Sequence, residues 1–238
     1  MTPLIVLTPT YIVWFLNETV KNYISISHLP FLSLPAIEGG DSPGYSRRML
    51  GDALVTGGKV YLDAVERSDM ETIGPWWRSL TLQQYLNPGP MMPQGMEDEL
   101  DWYESARKNS DLFLFGIRTR TEDRLIGTTT LMQFNWRNRK CLFGIAIGDQ
   151  SAWNKGYGSE ATALAVRYGF LELNLNRIQL FVYSFNERAI RAYEKAGFRV
   201  EGTLRENVFR DGRYWDEYVM AILRADWDQA GAEAGRLR

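Results

Sequence analysis

Apolar and polar residues change period several times along this chain, and the changes lay out an order of elements. Over residues 59–65, Val60, Leu62 and Ala64 alternate with Tyr61, Asp63 and Val65, which predicts a strand. A helical stretch follows, with Asp69 near its start and Trp76-Trp77 towards its end, and a second is predicted over 96–108. Between them, residues 85–93 are rich in proline and read as a loop. Residues 112–118, 125–136 and 139–147 read as strands, the first two joined by a polar turn over 119–124. Apolar residues at 161, 164, 165, 168 and 171 then repeat at helical spacing, and 177–183 reads as another strand. Asn186 is placed to cap a helix over 187–196, which Gly197 ends in a left-handed conformation. Residues 200–209 and 214–223 form a hairpin across Arg210-Asp211-Gly212-Arg213. Beyond Asp226 the chain is rich in Ala and Gly without a period, and a frayed tail is expected.

Composition narrows the chemistry. With 238 residues, 45% of them apolar, the chain can bury a full core, most simply as one domain with an extension. A net charge of −2 gives no basic footprint for nucleic acid. Cys141 is the only cysteine, so no intrachain disulfide can form, which suits a reducing cytoplasm; in its strand it reads as a small buried apolar residue. His28 is the only histidine and stands far from every other candidate residue. A Ser-His or Cys-His nucleophile, or a zinc site built on His and Cys, would need residues this chain lacks, so no metal is expected. Acid–base work falls to Tyr, Asp, Glu, Lys or the backbone. The first seventeen residues are uncharged and apolar, but Pro3 and Pro9 break them and no cleavage pattern follows. They are too short and broken for a membrane span, and no membrane partner is expected.

The stretch that organises the rest is Trp153-Asn154-Lys155-Gly156-Tyr157-Gly158, running through Ser159-Glu160-Ala161 into a helix. A strand, a glycine loop and a helix start leave backbone N–H groups unpaired where the helix dipole favours negative charge. The arrangement reads either as a phosphate site or as a tight turn. A P-loop fails, because the lysine precedes the first glycine. Gly156-Tyr157-Gly158-Ser159-Glu160-Ala161 does fit the dinucleotide pattern G-x-G-x-x-A. Its context does not: residues 149–154 separate strand from glycines, and no acidic residue ends the strand over 177–183.

A third phosphate-binding pattern fits better. Trp153-x-x-Gly156-x-Gly158 resembles the acetyl-CoA loop of the GCN5-related N-acetyltransferase superfamily, Arg/Gln-x-x-Gly-x-Gly/Ala. Trp153 stands where Arg or Gln is usual, and Asn154 where a small residue is common. Ile147-Gly148-Asp149 upstream resembles another signature stretch of the family. So do residues 186–198 downstream, with Asn186, Ala189 and Tyr193 in the pattern Asn-x-x-Ala-x-x-x-Tyr and Gly197-Phe198 closing it. The chain is most similar to the subgroup that includes ribosomal-protein N-terminal acetyltransferases and spermidine N-acetyltransferase, over about residues 58–224. That leaves residues 1–57 as an atypical arm and linker, the linker being the Pro, Gly and Ser-rich 30–48, and residues 225–238 as a tail. Met49 would be the ordinary start if the arm came from an upstream start codon; otherwise the arm would cover an apolar surface or pair two copies as a homodimer.

The resemblance implies an α/β (α+β) fold, a mixed and mainly antiparallel sheet of six or seven strands split between the fourth and fifth, with about four helices. It implies transfer of an acetyl group from acetyl-CoA to a primary amine by direct attack on the thioester. The cofactor seat would comprise Ile145, Ala146 and Ile147 on the fourth strand, the loop Trp153, Asn154, Lys155, Gly156, Tyr157, Gly158 and Ser159, and Asn186, Ala189 and Tyr193. Gly144 and Gly148 suit the strand edge along which pantetheine would lie. A fourth-strand N–H would meet the developing oxyanion, and Tyr193 would protonate the leaving thiolate, its phenol staying protonated at neutral pH. Read from spacing alone, Tyr193 on a helical apolar stripe is core packing. Glu206, Asp216 and Glu217 are base candidates that read equally as exposed strand charge. Lys155, Arg188, Arg191 and Lys195 are cations that either approach the CoA phosphates or sit in solvent. Glu97, Asp98, Glu99 and Asp101 would draw a cationic acceptor or simply form an acidic first helical turn. Trp76, Trp77, Trp102, Trp136 and Trp215 line the acceptor wall or the core. The expected acceptor is a protein or peptide N-terminus or a small amine, since the weakly charged composition offers little support for a dedicated polyamine enzyme; a polyamine or aminoglycoside is the alternative acceptor, and a non-catalytic acyl-CoA sensor the rival function.

Overall fold

The computed structural model describes residues 55–86 and 95–233. In chain order these form β1 (Val60–Ala64), α1 (Met70–Trp77), α2 (Leu80–Leu86), α3 (Met96–Lys108), β2 (Leu112–Thr119), β3 (Leu125–Asn135), β4 (Lys140–Ile147), α4 (Tyr157–Leu171), β5 (Arg177–Tyr183), α5 (Glu187–Lys195), β6 (Arg199–Arg210), β7 (Arg213–Leu223) and α6 (Arg224–Glu233). The seven strands make one sheet in the order β1-β2-β3-β4-β5-β7-β6. Every pairing is antiparallel except β4 with β5. The arm, His28 and most of the proline-rich loop lie outside the described residues.

The strand alternation read from the sequence assigns the two faces. Val60 and Leu62 of β1, Phe115 and Ile117 of β2, Phe143 of β4, and Ile178, Leu180 and Val182 of β5 are buried in one core with Ala161, Leu164, Ala165 and Phe170 of α4 and Tyr193 of α5. Residues of alternate parity serve the other face. There Met70, Ile73, Tyr103 and Leu125 form a second cluster, with Trp76, Trp77, Leu100 and Trp102 packed on it from α1 and α3. The acidic start of α3 is largely absorbed: Glu99 is 1% exposed and takes both its carboxylate contacts from Arg78, while Asp98 accepts the Gly95 N–H at 2.7 Å. Glu97 and Asp101 remain exposed.

Six α-helices are present among the described residues where about four were expected. The two additions lack a periodic stripe. Leu82 is the only buried residue of α2. α6 replaces the first part of the expected frayed tail, and it is fixed by point contacts: Arg224 donates to the Phe170 carbonyl at 2.5 Å and to Asp228, and Trp227 lies 5.5 Å from the Phe170 ring. The β6–β7 turn is as predicted, with Asp211 and Gly212 both at positive φ.

The sheet parts at one place. β4 pairs with β5 only over Lys140–Arg177, Cys141–Ile178 and Leu142–Gln179. Beyond that level β4 stays bound to β3 as far as Ile147–Gly127, and β5 stays bound to β7 as far as Tyr183–Glu217. Two strands diverge while each keeps its outer partner, which leaves a cleft between Phe143–Ile147 and Leu180–Tyr183 whose walls carry backbone groups without a strand opposite. Close backbone approach holds the β4 wall: a Cβ on Gly127 would meet the Ala146 carbonyl oxygen at 2.3 Å and the Ile147 Cα at 3.0 Å. Gly127→Ala is therefore expected to destabilise the fold by about 1–3 kcal/mol in urea unfolding. Gly202→Ala, where nothing lies within 4 Å, should change it by less than about 0.5 kcal/mol.

Candidate active site

The chain leaves β4 at Ile147 and returns into α4 through a loop closed on itself. Trp153 donates its indole N–H to the Ile147 carbonyl at 2.7 Å, and Asp149 accepts the Ser151 N–H at 2.8 Å. Asn154 (φ 61°) and Gly156 (φ 83°) both take left-handed backbone, which turns successive N–H groups inward as an anion-binding concavity. Gly156 is the N-cap of α4, and the first helical bond runs from the Glu160 N–H to the Gly156 carbonyl. The N–H groups of Tyr157, Gly158 and Ser159 precede that bond and have no helical acceptor. The predicted loop residues thus converge on one helix start, and the donors suit a diphosphate.

Two residues that the sequence did not mark hold this loop. Glu160 accepts the Gly58 N–H at 2.5 Å and the Lys59 N–H at 2.9 Å, tying α4 to the start of β1. Lys59 donates its ammonium to the Lys155 carbonyl at 3.0 Å and lies against Gly156. A separation of about a hundred positions hides both ties from a local pattern.

α5 brings the second part of the site. Asn186 caps it, its side chain accepting the Ala189 N–H at 3.3 Å, and Gly197 closes it at φ 97°. Tyr193 is buried, with its ring edge-on to Phe143 at 6.1 Å and tilted against Phe198 at 6.0 Å. Phe143 is the first β4 residue past the last β4–β5 pair, so Tyr193 stands at the vertex of the cleft. Burial pushes its phenol well above the ordinary tyrosine value, which keeps it a proton donor across the neutral range. Ile145, Ala146 and Ile147 form the β4 wall of the same cleft.

Of the base candidates, Glu217 departs most from exposed strand charge. It is half-buried opposite Tyr183, its carboxyl is raised by burial, and Asn207 donates to it at 2.8 Å. Asp216 is half-buried too and accepts the Glu206 N–H at 2.9 Å across a break in the β6–β7 register. Glu206 itself is exposed, at φ 53°. Beside this group runs an aromatic row from three elements: Tyr85 at 5.9 Å from Phe185, and Phe185 at 5.4 Å from Tyr183 and 5.1 Å from Trp215. The other tryptophans divide. Trp77 and Trp102 pack edge to face at 4.2 Å, Trp76 lies where a Cβ on Gly148 would stand, and Trp136 is exposed on Phe134.

Comparison with known proteins identifies the family of this fold. Residues 59–199 match the family described as acetyltransferase (GNAT) domain. The Bacillus subtilis protein YjcK, named a probable N-acetyltransferase, is 37% identical over 136 residues, 57% of this chain and 75% of its own. Spermidine N(1)-acetyltransferase of Escherichia coli is 35% identical over 173 residues, covering 69% of this chain and 86% of that one. Among solved structures, spermidine N-acetyltransferase from Vibrio cholerae in complex with CoA and spermine superposes with a TM-score of 0.65 at 28% identity, covering 71% of this chain and 97% of that one.

Gly156 offers a direct test of the loop. An alanine there would be forced into left-handed backbone at a cost of about 1–2 kcal/mol, and its Cβ would press on Lys59 at 3.3 Å. Because the loop already holds this backbone before any anion binds, Gly156→Ala is expected to lower the stability of the fold by about 1–2 kcal/mol in urea unfolding.

Proposed function

From the premise that this chain belongs to the GNAT acetyltransferase family, we propose that its acceptor is a small cationic amine of the polyamine class. The chain is an acetyl-CoA-dependent N-acetyltransferase. The observation that carries the acceptor reading is the half-buried Glu217 carboxylate opposite Tyr183 of the aromatic row. Carboxylates hold an incoming ammonium, and aromatic faces hold the methylenes and charge of an extended amine. The names of the Escherichia coli and Vibrio cholerae relatives support the same class. A cytoplasmic location belongs to this reading and suits a lone buried thiol such as Cys141.

Each residue then has a task. Acetyl-CoA supplies the activated acetyl group, held by the N–H groups of Tyr157, Gly158 and Ser159 and along the β4 wall, with Asn186 and Ala189 at the start of α5. Glu217, raised by burial and so the better proton acceptor, takes the amine proton directly or through water. The amine nitrogen bonds to the acetyl carbon as the carbon–sulfur bond breaks. Backbone N–H groups among Ile145, Ala146 and Ile147 meet the negative charge that builds on the carbonyl oxygen. Tyr193 meets the departing thiolate with its phenolic O–H, which burial at the cleft vertex keeps protonated.

Release of free CoA thiol, scored against polyamines, N-terminal peptides and aminoglycosides, tests this reading. Turnover with polyamines is the expected result. Turnover confined to peptides would move the acceptor to a protein N-terminus, and silence with retained CoA binding would favour an acyl-CoA sensor. In the same assay Tyr193→Phe should lower kcat by about a hundredfold or more while leaving the acetyl-CoA KM within about threefold. An unchanged kcat would remove Tyr193 from the chemistry.

A further inference from the structure

Arg188 differs from the other described arginines near the loop in how its charge is held. Its guanidinium lies 3.7 Å from the ring centre of Trp153 and 5.8 Å from that of Tyr85. Arg191, one turn along the same helix, is exposed and paired with Glu187 at 3.0 Å; Arg124 is paired with Asp149 and Glu122. Among the described residues no carboxylate comes within ion-pair distance of Arg188, although it is half-buried. A partly desolvated guanidinium without an acid is costly, and stacking on aromatic faces recovers only part of that cost. Burial accordingly lowers the Arg188 pKa, in the direction opposite to Arg177, which is ion-paired with Glu201 at the far end of β5. Such a residue is prepared for an anion that arrives from outside.

Trp153 fixes where that anion would lie. Its indole N–H is bound to the end of β4, so its ring, and the guanidinium on it, are held at the first residue of the glycine loop. We propose that Arg188 binds a phosphate of CoA, with Trp153 as the platform that aims it. This rests on the acetyl-CoA reading of the loop and adds a second side-chain cation to the Lys59 ammonium that already lies against it. Of Lys155, Arg188, Arg191 and Lys195, the cations named from the sequence, the other three are exposed and Arg188 alone is half-buried.

Calorimetric titration with CoA tests the proposal on the full chain, with melting temperature as the check on folding. Arg188→Ala should weaken CoA about tenfold and flatten the salt dependence of binding. Arg188→Lys should recover most of the affinity, and Arg191→Ala should match the wild type. In steady state, Arg188→Ala should raise the acetyl-CoA KM and spare kcat. Repeating the titration with 3′-dephospho-CoA separates the phosphates: a persisting loss assigns the diphosphate, and a vanished loss assigns the 3′-phosphate. Wild-type affinity in Arg188→Ala, or a lysine variant as weak as the alanine one, would overturn the proposal. Failure of the wild type itself to bind CoA would instead overturn the reading of the loop.

Discussion

Three residue pairs of parallel β4–β5 hydrogen bonding, and no more, are what the site depends on. A parallel pair that continued to Ile147 and Tyr183 would fill its own backbone donors and leave nothing for a ligand. Because β4 and β5 each keep an outer antiparallel partner to their ends, the cleft opens without fraying either wall. The vertex, just past Leu142 and Gln179, is where Phe143 meets Tyr193, so the break that creates a binding edge also sets the position of the proton donor.

The rest of the structure stiffens that cleft. β4 is pressed on Gly127 of β3, and its end accepts the Trp153 indole. The loop beyond it is fastened to β1 through Glu160 and Lys59, so the free N–H groups at the start of α4 sit on a rigid frame. Preformed donors of this kind need little reordering when an anion binds, which is the condition under which they contribute most. The half-buried Glu217 of the β6–β7 hairpin and the aromatic row differ in chemistry from the loop, and Tyr85 joins the two regions through the Arg188 guanidinium, which also lies on Trp153.

Much of this was legible in the sequence because it is encoded locally. Alternation located the seven strands within a residue or two, Asn186 and Gly197 bracketed α5, and Gly156 and Gly158 marked the loop that opens α4. Local pattern could not supply what long-range contacts decide. α6 exists because Arg224 and Trp227 find Phe170, and Lys59, just before β1, reaches the loop across about a hundred residues. Glu217 looked like surface charge because an alternating strand hides which of its polar residues the neighbouring strand covers. Arg188 and Trp153 are likewise too far apart in sequence to announce a stack.

The central claim is that the β4 wall and the glycine loop together form the seat of acetyl-CoA. Backbone amide NMR of the full chain, titrated with CoA, measures this residue by residue. The account predicts that the amides of Phe143 to Ile147 and of Gly156 to Ser159 shift together and exchange more slowly with solvent, while those of β1 to β3 away from the loop stay in place. Shifts at the loop alone, or at neither segment, would contradict it.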